Sequence, residues 1–240
     1  MNNRFIEKLG RFASLDATDI AVLEAATARS HKVAARRDLI SEGDRPGPVF
    51  VIISGWACRY NVTSDGGRQI SAFLMPGDFS DMHVAVLDEM DHGIQTLTET
   101  EVAKIDREQM KILFETSSGI ADALWLSQLV DEGTMRAWIV GMGRRTALAK
   151  VAHLLCELYV RASNVGLVQN GELVLPLTQI VLADALGLTP VHVNRVIRSL
   201  RLSKALELRN RELVIGDLAQ LSHLAAFDEN YLHRRVRLVA

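Results

Sequence analysis

The stretch that decides the fold of this chain runs from Leu175 to Arg201 and reads LPLTQIVLADALGLTPVHVNRVIRSLR. Thr178 predicts the N-terminal cap of a first helix, and Gly187 predicts its end, because glycine adopts the left-handed conformation that closes many helices. Thr189 predicts a second cap, with Pro190 at the first helical position, where its missing N–H costs nothing. Two short helices joined by a turn of about three to four residues that contains glycine predict a helix-turn-helix.

The second helix of this pair carries side chains suited to the edges of DNA bases. A recognition helix enters the major groove with its first turns facing the bases, where Arg pairs with guanine and Asn with adenine. The two capping threonines are placed to hold phosphates at helix N-termini. A helical hairpin with a solvated basic face is the plainer alternative. The predicted DNA-binding residues are Thr178, Gln179, Thr189, His192, Asn194, Arg195 and Arg198, with Arg201 and Lys204 extending the positive face.

The segments on either side of this pair complete a small domain. Arg144 to Ser163 has the apolar period of an amphipathic helix, and Leu173 to Leu177 reads as a short strand. Ala205 to Ile215 alternates like a two-stranded wing, and Asp217 begins a last helix. The sequence therefore predicts a winged helix-turn-helix over residues 143–240.

A long helix is predicted immediately before this domain, over residues 116–142. Small and apolar residues recur there at steps of three and four, which is the spacing of a coiled-coil seam. The seam consists of Ala123, Leu126, Val130, Gly133, Ala137 and Val140. This pattern favours pairing with a second copy of the helix, and burial against the chain's own β domain is the alternative.

The residues before the long helix predict an antiparallel β domain. Between His31 and Ile105 the apolar period is two, and turn residues arrive at short intervals. Trp56 to Val62 pairs with Arg68 to Met75 across a turn at Asp65-Gly66-Gly67, because these residues supply the positive φ of tight hairpin loops. With a helical lead-in from Arg4 to Ala26, this domain covers residues 1–115, and the whole chain has the α+β fold class.

Composition limits the class of protein. Of 240 residues 48% are hydrophobic and the formal net charge is −2, which suits a folded chain. Positive charge is concentrated in residues 143–240, which hold 13 Lys and Arg against 8 Asp and Glu. No apolar run reaches the roughly 20 residues of a membrane span, and the N-terminus lacks a signal-peptide pattern, so a cytoplasmic protein without a membrane partner is expected. The sequence has no nucleophile–base pair, P-loop or HExxH motif, so an enzyme is not expected.

The quoted stretch resembles the Crp/Fnr transcription regulators, in the form common in alphaproteobacteria. The resemblance extends to the glycine turns Gly43-Asp44, Ile53-Ser54-Gly55 and Pro76-Gly77-Asp78-Phe79, and to the tail around Phe227 and Tyr231. It implies an N-terminal cyclic-nucleotide-binding-like β-roll that senses a signal, a long dimerisation helix, and a DNA reader that binds a two-fold symmetric operator as a homodimer. Double-stranded DNA and RNA polymerase are the partners it implies.

The resemblance is weaker where this family binds cyclic AMP. The family's ribose-binding Glu and phosphate-binding Arg are replaced by Ser80-Asp81-Met82-His83 and Asp91-His92-Gly93, and acidic residues there repel a phosphodiester. Cyclic AMP is therefore not expected, and the effector is not identified. The predicted effector pocket consists of Phe79, Ser80, Asp81, Met82, His83, His92 and Gly93.

Three alternatives for the control of this regulator remain open: a haem or metal site, a redox-active cysteine, and control without a ligand. An iron–sulfur cluster is not among them. Cys58 and Cys156 are too few for an iron–sulfur cluster, which needs about four cysteines. A haem or metal site at His83 and His92, or a redox role for Cys58, would make this a haem- or redox-responsive member, although Cys58 also fits as a small packing residue. The remaining alternative is a regulator without a ligand, controlled by its abundance or by protein partners.

Overall fold

The computed structural model describes residues 3–82, 87–209 and 212–233. They fold as two compact units, which divide between Asp131 and Glu132. Within these ranges, no single helix combines the length and the apolar composition of a membrane span.

Antiparallel strands build the first unit: β1 (Ser30–Val33), β2 (Asp38–Ile40), β3 (Val49–Ser54), β4 (Ala57–Val62), β5 (Arg68–Leu74), β6 (Gly93–Thr96) and β7 (Thr100–Ile105). They pair as β1-β7-β3 in one sheet and as β2-β6-β4-β5 in the other. The predicted hairpin is β4 with β5, in which Ala57 lies opposite Leu74 and Val62 opposite Arg68. Val51, Phe73 and Ile94 are fully buried.

The turn between β3 and β4 requires glycine. Gly55 has a φ of 82°, and a Cβ at this position would lie 2.3 Å from the carbonyl oxygen of Glu99. Since no side chain fits there, the turn can bring β4 back against the residues that precede β7 only with glycine at position 55.

Three helices with local caps flank these strands: α1 (Arg4–Leu9), α2 (Ala17–Thr27) and α3 (Arg107–Thr116). Asp16 and Asp19 form a reciprocal capping box at the start of α2, and Asp106 forms one with Gln109 at the start of α3. Each box satisfies backbone N–H groups that a helix leaves without partners at its N-terminus.

The long helix α4 (Ser118–Arg144) begins in the first unit and ends in the second. The second unit continues with α5 (Ala147–Asn164), β8 (Leu173–Leu175), α6 (Gln179–Leu186), α7 (Pro190–Leu202), β9 (Glu207–Arg209), β10 (Glu212–Ile215), α8 (Leu218–Ala225) and a 3₁₀ turn, Glu229–Leu232. The strands pair as β8-β10-β9. The predicted strand before α6 is thus the third member of the wing sheet, a pairing that the sequence pattern did not reveal.

A buried carboxylate organises the core of the second unit. Glu157 on α5 is fully buried and accepts hydrogen bonds from Trp138 at 2.8 Å, Tyr231 at 3.1 Å and Arg161 at 3.3 Å. The His153 ring stacks on Tyr231, with ring centroids 5.7 Å apart. This cluster joins the last part of α4, the helix α5 and the segment after α8.

The α+β prediction is confirmed by antiparallel sheets, a long helix and a winged helix-turn-helix in chain order. The helical lead-in is divided into α1 and α2, and Ser117 separates α3 from α4.

Candidate nucleic-acid interface

Local capping builds the helix-turn-helix as the sequence predicts. The hydroxyl oxygen of Thr178 accepts a hydrogen bond from the backbone N–H of Val181 at 3.3 Å, and that of Thr189 accepts one from His192 at 3.2 Å. Gly187 adopts the left-handed conformation, with φ 61° and ψ 40°. Thr178 begins α6, Gly187 ends it and Thr189 begins α7 after a very short turn, because each residue satisfies or redirects the backbone locally.

The two helices turn through 106° from α6 to α7, within the range of known helix-turn-helix pairs. Apolar residues of both helices form their shared core: Leu182, Ala183, Ala185 and Leu186 on α6, and Val193, Val196, Ile197 and Leu200 on α7, are buried. With one face of α7 buried in this core, its opposite face is presented to solvent.

The exposed face carries the predicted DNA-binding residues. Thr178, Gln179, Thr189, Asn194, Arg195 and Arg198 are exposed, and His192 is half-buried. The side chain of Asn194 donates a hydrogen bond to Gln179 at 2.9 Å, which links the exposed surfaces of α7 and α6. Four of the seven predicted residues, Thr178, Gln179, Asn194 and Arg198, lie together along one groove of the second unit.

A groove between α6, α7 and the wing continues this surface. Thr178, Gln179, Asn194, Arg198 and Arg201 line the groove, together with Leu208 of β9. The wing is held by Arg209, which forms ion pairs with both oxygens of Glu172 and with Glu207. These acidic partners raise the pKa of Arg209 above its usual value. Arg198 and Arg201 therefore line the groove beside the anchored wing, and arginine side chains commonly contact the phosphates of DNA.

Two family models match the chain, one on each side of α4. A cyclic nucleotide-binding domain matches residues 30–117, and a Crp-like helix-turn-helix domain matches residues 149–224. The chain belongs to the Crp/Fnr family. It is a transcriptional regulator with a DNA-binding helix-turn-helix, and the relatives of this Crp/Fnr chain are transcriptional regulators rather than enzymes.

The Crp/Fnr relatives are similar over nearly the whole chain. The transcriptional activator protein FnrL of Cereibacter sphaeroides is 27% identical over 91% of this chain and 88% of its own length. The nitrogen fixation regulation protein FixK of Azorhizobium caulinodans is 23% identical over 93% and 90%. The structure of FixK2 from Bradyrhizobium japonicum shares the fold, with a TM-score of 0.72 and 24% identity over 82% of this chain and 96% of that one.

The predicted effector residues of this Crp/Fnr chain fall into two groups. Phe79 and Ser80 are buried beside β3. The Phe79 ring packs edge-on against Phe5, with centroids 5.7 Å apart. The backbone N–H of Ser80 donates to the carbonyl of Phe50, and the N–H of Phe50 donates to the hydroxyl of Ser80, both at 2.8 Å. These two residues therefore fasten their segment to β3.

Asp81 and His92 form the second group, a largely buried charge cluster. Asp81 is paired with Arg59 at 2.8 Å and with Nε2 of His92 at 2.6 Å, and Nδ1 of His92 lies 2.7 Å from Asp91. Burial lowers the pKa of His92, but the hydrogen bond and charge of Asp81, with help from Asp91, outweigh it and raise the pKa above its ordinary value. Arg59 and His92 thus neutralise Asp81, which sequence reasoning treated as an unpaired negative charge.

The remaining predicted effector residues lie nearby or outside the described ranges. Met82 is buried. A Cβ on Gly93 would lie 2.7 Å from the Tyr60 ring, so glycine lets that ring pack on β6. His83 is not among the described residues. Both ring nitrogens of His92 face carboxylates, and no group of three or more His, Cys, Asp and Glu in the described ranges is arranged to hold a metal ion.

Sequence reasoning missed the two arginines of this sheet. Arg59 lies mid-strand on β4, and Arg68 begins β5, where its guanidinium lies 3.3 Å from the Cys58 sulfur and 3.0 Å from Gln95. The signal available in the sequence was a basic residue within each predicted strand of a hairpin, since charged residues are rarely buried without a partner. Cys58 itself is fully buried, which agrees with a packing residue.

The six residues of the predicted seam differ in exposure. Ala123, Val130 and Gly133 are buried within the single chain, Leu126 and Ala137 are half-buried, and Val140 is exposed. A Cβ on Gly133 would lie 2.6 Å from the carbonyl oxygen of Tyr231, so this glycine is required within the second unit. The large exposed apolar residues of α4 are Trp125 in the first unit, and Met135, Ile139, Val140 and Met142 in the second.

Proposed function

We propose that this Crp/Fnr chain binds a two-fold symmetric operator as a homodimer, with α7 in the major groove. The observation that carries the proposal is the exposed face of α7, where Asn194, Arg195 and Arg198 lie opposite a fully apolar buried face. Arg195 is within the first two turns of the helix, where side chains reach base edges, and its guanidinium matches O6 and N7 of guanine.

The test of DNA recognition is selection of a binding sequence from random duplexes, followed by footprinting and titration at several salt concentrations. We expect a palindromic footprint and an affinity that falls with salt. Arg195→Ala should lose affinity and relax specificity at one base pair of each half-site. Lys111→Ala, which removes an exposed positive charge from α3 in the first unit, is the matched control and should bind as the wild type does. Absence of salt-sensitive, sequence-specific binding would overturn the proposal.

Dimerisation through α4 is supported by the apolar residues that this helix exposes. Ile139 is 65% exposed and lies two heptads, or 14 residues, after the exposed Trp125, with the charged Glu132 at the heptad position between them. Met135 and Met142 take the intermediate positions, so the repeat is that of a seam between two helices. Of the seam residues named from the sequence, Val140 lies beside this stripe. The partner that matches such a stripe is a second copy of α4.

The oligomeric state is measured by sedimentation equilibrium of the wild type and of Ile139→Glu. The variant should be monomeric, because pairing would bury two opposed carboxylates. Val62→Glu alters another exposed apolar residue, 51% exposed, in the β4–β5 hairpin and should remain dimeric. A wild-type chain that stays monomeric at high concentration would exclude the dimer.

The signal is proposed to act at the β-roll and to be something other than cyclic AMP. The support is the cluster in which Asp81 already pairs with Arg59 and His92. The Arg59 guanidinium is thus engaged with the Asp81 carboxylate. Thermal unfolding and operator binding measured with cyclic AMP, cyclic GMP, haem, divalent metals and no addition distinguish the alternatives. Stabilisation by cyclic AMP would contradict the proposal, and operator binding that no addition changes would favour a ligand-independent regulator.

We further propose RNA polymerase as a partner and the cytoplasm as the location. The support is that the relative FnrL is named a transcriptional activator. Transcription in vitro from a promoter that carries the selected operator tests this: transcript should rise with wild-type protein and not with Arg195→Ala. A fall in transcript would indicate a repressor.

A further inference from the structure

Val191 is an apolar side chain placed where a recognition helix meets the bases. It is the second residue of α7 and is 70% exposed. Its spacing from Asn194, Arg195 and Arg198 is three, four and seven residues, so the four side chains share one face of the helix. The core of the helix pair uses the opposite face, and Val191 therefore adds nothing to folding that a polar residue would not.

An exposed valine in this position has a chemical match in the major groove. The C5-methyl group of thymine is the one apolar feature that a base pair presents there, and aliphatic side chains contact it. Val191 carries two methyl groups on a side chain with a single χ angle, so little rotational freedom is lost on contact.

Asn194 is oriented before it meets DNA. Its Nδ2 donates one hydrogen to Oε1 of Gln179 at 2.9 Å. Pairing with adenine needs one Nδ2 hydrogen for N7 and the Oδ1 acceptor for the N6 amino group. The bond to Gln179 engages one of the two Nδ2 hydrogens and holds the amide. The second Nδ2 hydrogen and Oδ1 supply the donor and acceptor that adenine requires.

We infer that α7 reads an A·T-containing segment of each half-site, in which Val191 contacts a thymine methyl and Asn194, positioned by Gln179, pairs with an adenine. This inference rests on the proposed DNA-binding function and specifies the bases beyond the guanine assigned to Arg195. Gln179 acts here as a positioning residue, since it reaches the base only through Asn194.

Single-atom changes in the DNA test the Val191 contact. In the selected operator each thymine is replaced in turn by uracil, which lacks only the C5-methyl group. At one position per half-site the wild type should lose about fourfold in affinity, as expected for one methyl group removed from an apolar contact. Val191→Ala should bind the thymine operator more weakly and show no further loss with uracil at that position. Equal affinity of the wild type for uracil and thymine at every position would overturn this contact.

Replacement of each adenine in turn by 7-deazaadenine, which lacks the N7 acceptor, tests the contact between Asn194 and adenine in the same way. The wild type should lose about fivefold or more at one adenine, since a bidentate contact contributes about 1–3 kcal/mol of discrimination. The adenine ratio is the affinity for adenine divided by the affinity for 7-deazaadenine at that position. Gln179→Ala should reduce the adenine ratio, while the loss caused by 7-deazaguanine at the Arg195 position stays unchanged. Gln179→Glu keeps the oxygen acceptor for Asn194 and should restore the adenine ratio. A ratio unaffected by Gln179→Ala would exclude the positioning role.

Failure of this inference can be told apart from failure of the proposed function. If the chain selects no operator, or if Arg195→Ala binds the selected operator as the wild type does, the proposed function fails. If a specific operator is selected and Arg195 contributes, but neither uracil nor 7-deazaadenine has an effect, only the base assignments made here are wrong.

Discussion

Nε1 of Trp138 on α4 donates a hydrogen bond of 2.8 Å to Oε2 of Glu157 on α5. Glu157 is fully buried, so this donor replaces water that the carboxylate would otherwise bind. Tyr231 donates to the same oxygen at 3.1 Å, from a segment 74 residues further along the chain. The Glu157 carboxylate thus holds together three segments of the second unit. Removal of any one donor leaves this buried carboxylate with a hydrogen bond missing.

Trp138→Phe should lower the free energy of unfolding of the second unit by about 1–3 kcal/mol, because a buried acceptor loses a donor. Urea unfolding of the full chain, followed by far-UV circular dichroism, measures the change. Tyr159→Phe is the matched control: its hydroxyl donates to the Gly171 carbonyl at 2.7 Å on an exposed surface, where water replaces the bond. Equal losses in the two variants would contradict the role assigned to Glu157.

Glu157 also predicts a dependence of stability on pH. Burial raises the pKa of Glu157, against the opposing effects of Arg161, Trp138 and Tyr231. The folded state therefore binds this proton more tightly than the unfolded state, and the free energy of unfolding falls as pH rises from the ordinary value of 4.5 through the raised pKa. Glu157→Gln does not titrate, so the difference in stability between variant and wild type should change with pH across that window. A constant difference would refute the shift.

Gly133 and Gly143 form a matched pair on α4. Gly133→Ala places a Cβ 2.6 Å from the Tyr231 carbonyl oxygen, whereas a Cβ on Gly143 meets nothing within 4 Å. Overpacking of this kind costs about 1–3 kcal/mol, so Gly133→Ala should lower the melting temperature. Gly143→Ala should leave it unchanged or raise it slightly, since alanine favours helix by up to about 1 kcal/mol. Differential scanning calorimetry compares the two, and equal melting temperatures would rule out the close contact at Gly133.

His92 predicts that the stability of the first unit also depends on pH. Its pKa is raised by Asp81 and Asp91 against the effect of burial. The stabilisation is fully present below the ordinary pKa of 6.5 and is lost as pH rises through the folded pKa. The slope of first-unit stability in that window should disappear in His92→Gln and persist in His31→Gln, which changes an exposed histidine on β1. Hydrogen exchange of first-unit amides as a function of pH provides the measurement. An unchanged slope in His92→Gln would assign it to another group.

Arg198 should contribute to affinity without contributing to specificity. It is exposed on the third turn of α7 and lines the groove beside the wing, where a phosphate is a closer target than a base edge. Arg198→Ala should weaken binding to every operator by a similar factor and reduce the slope of log affinity against log salt by about 1. Fluorescence anisotropy at several salt concentrations measures the slope. A loss confined to one base pair would instead place Arg198 on a base.

The helix-turn-helix was predictable because its determinants act within a few residues of chain. Thr178 and Thr189 accept hydrogen bonds from N–H groups three residues away, and Gly187 ends α6 through its own backbone conformation. The exposed face of α7 follows from its helical period. The β4–β5 hairpin was predictable for the same reason, since the Asp65-Gly66-Gly67 turn brings Val62 opposite Arg68 and Asn61 opposite Gln69.

Tertiary structure decided which distant residues meet, and no local rule contains that information. Arg59, Asp81 and His92 come from different parts of the chain, and only the folded β domain brings Arg59 and His92 within 3 Å of Asp81. Gly133 fits the spacing of a seam between helices, yet its small size is required by Tyr231, 98 residues away in sequence. By itself the sequence determined the elements and the reading face of α7, because hydrogen bonds and periodicity there span only a few residues. The partners of Asp81, Glu157 and Gly133 depend on packing between elements, which sequence spacing does not encode.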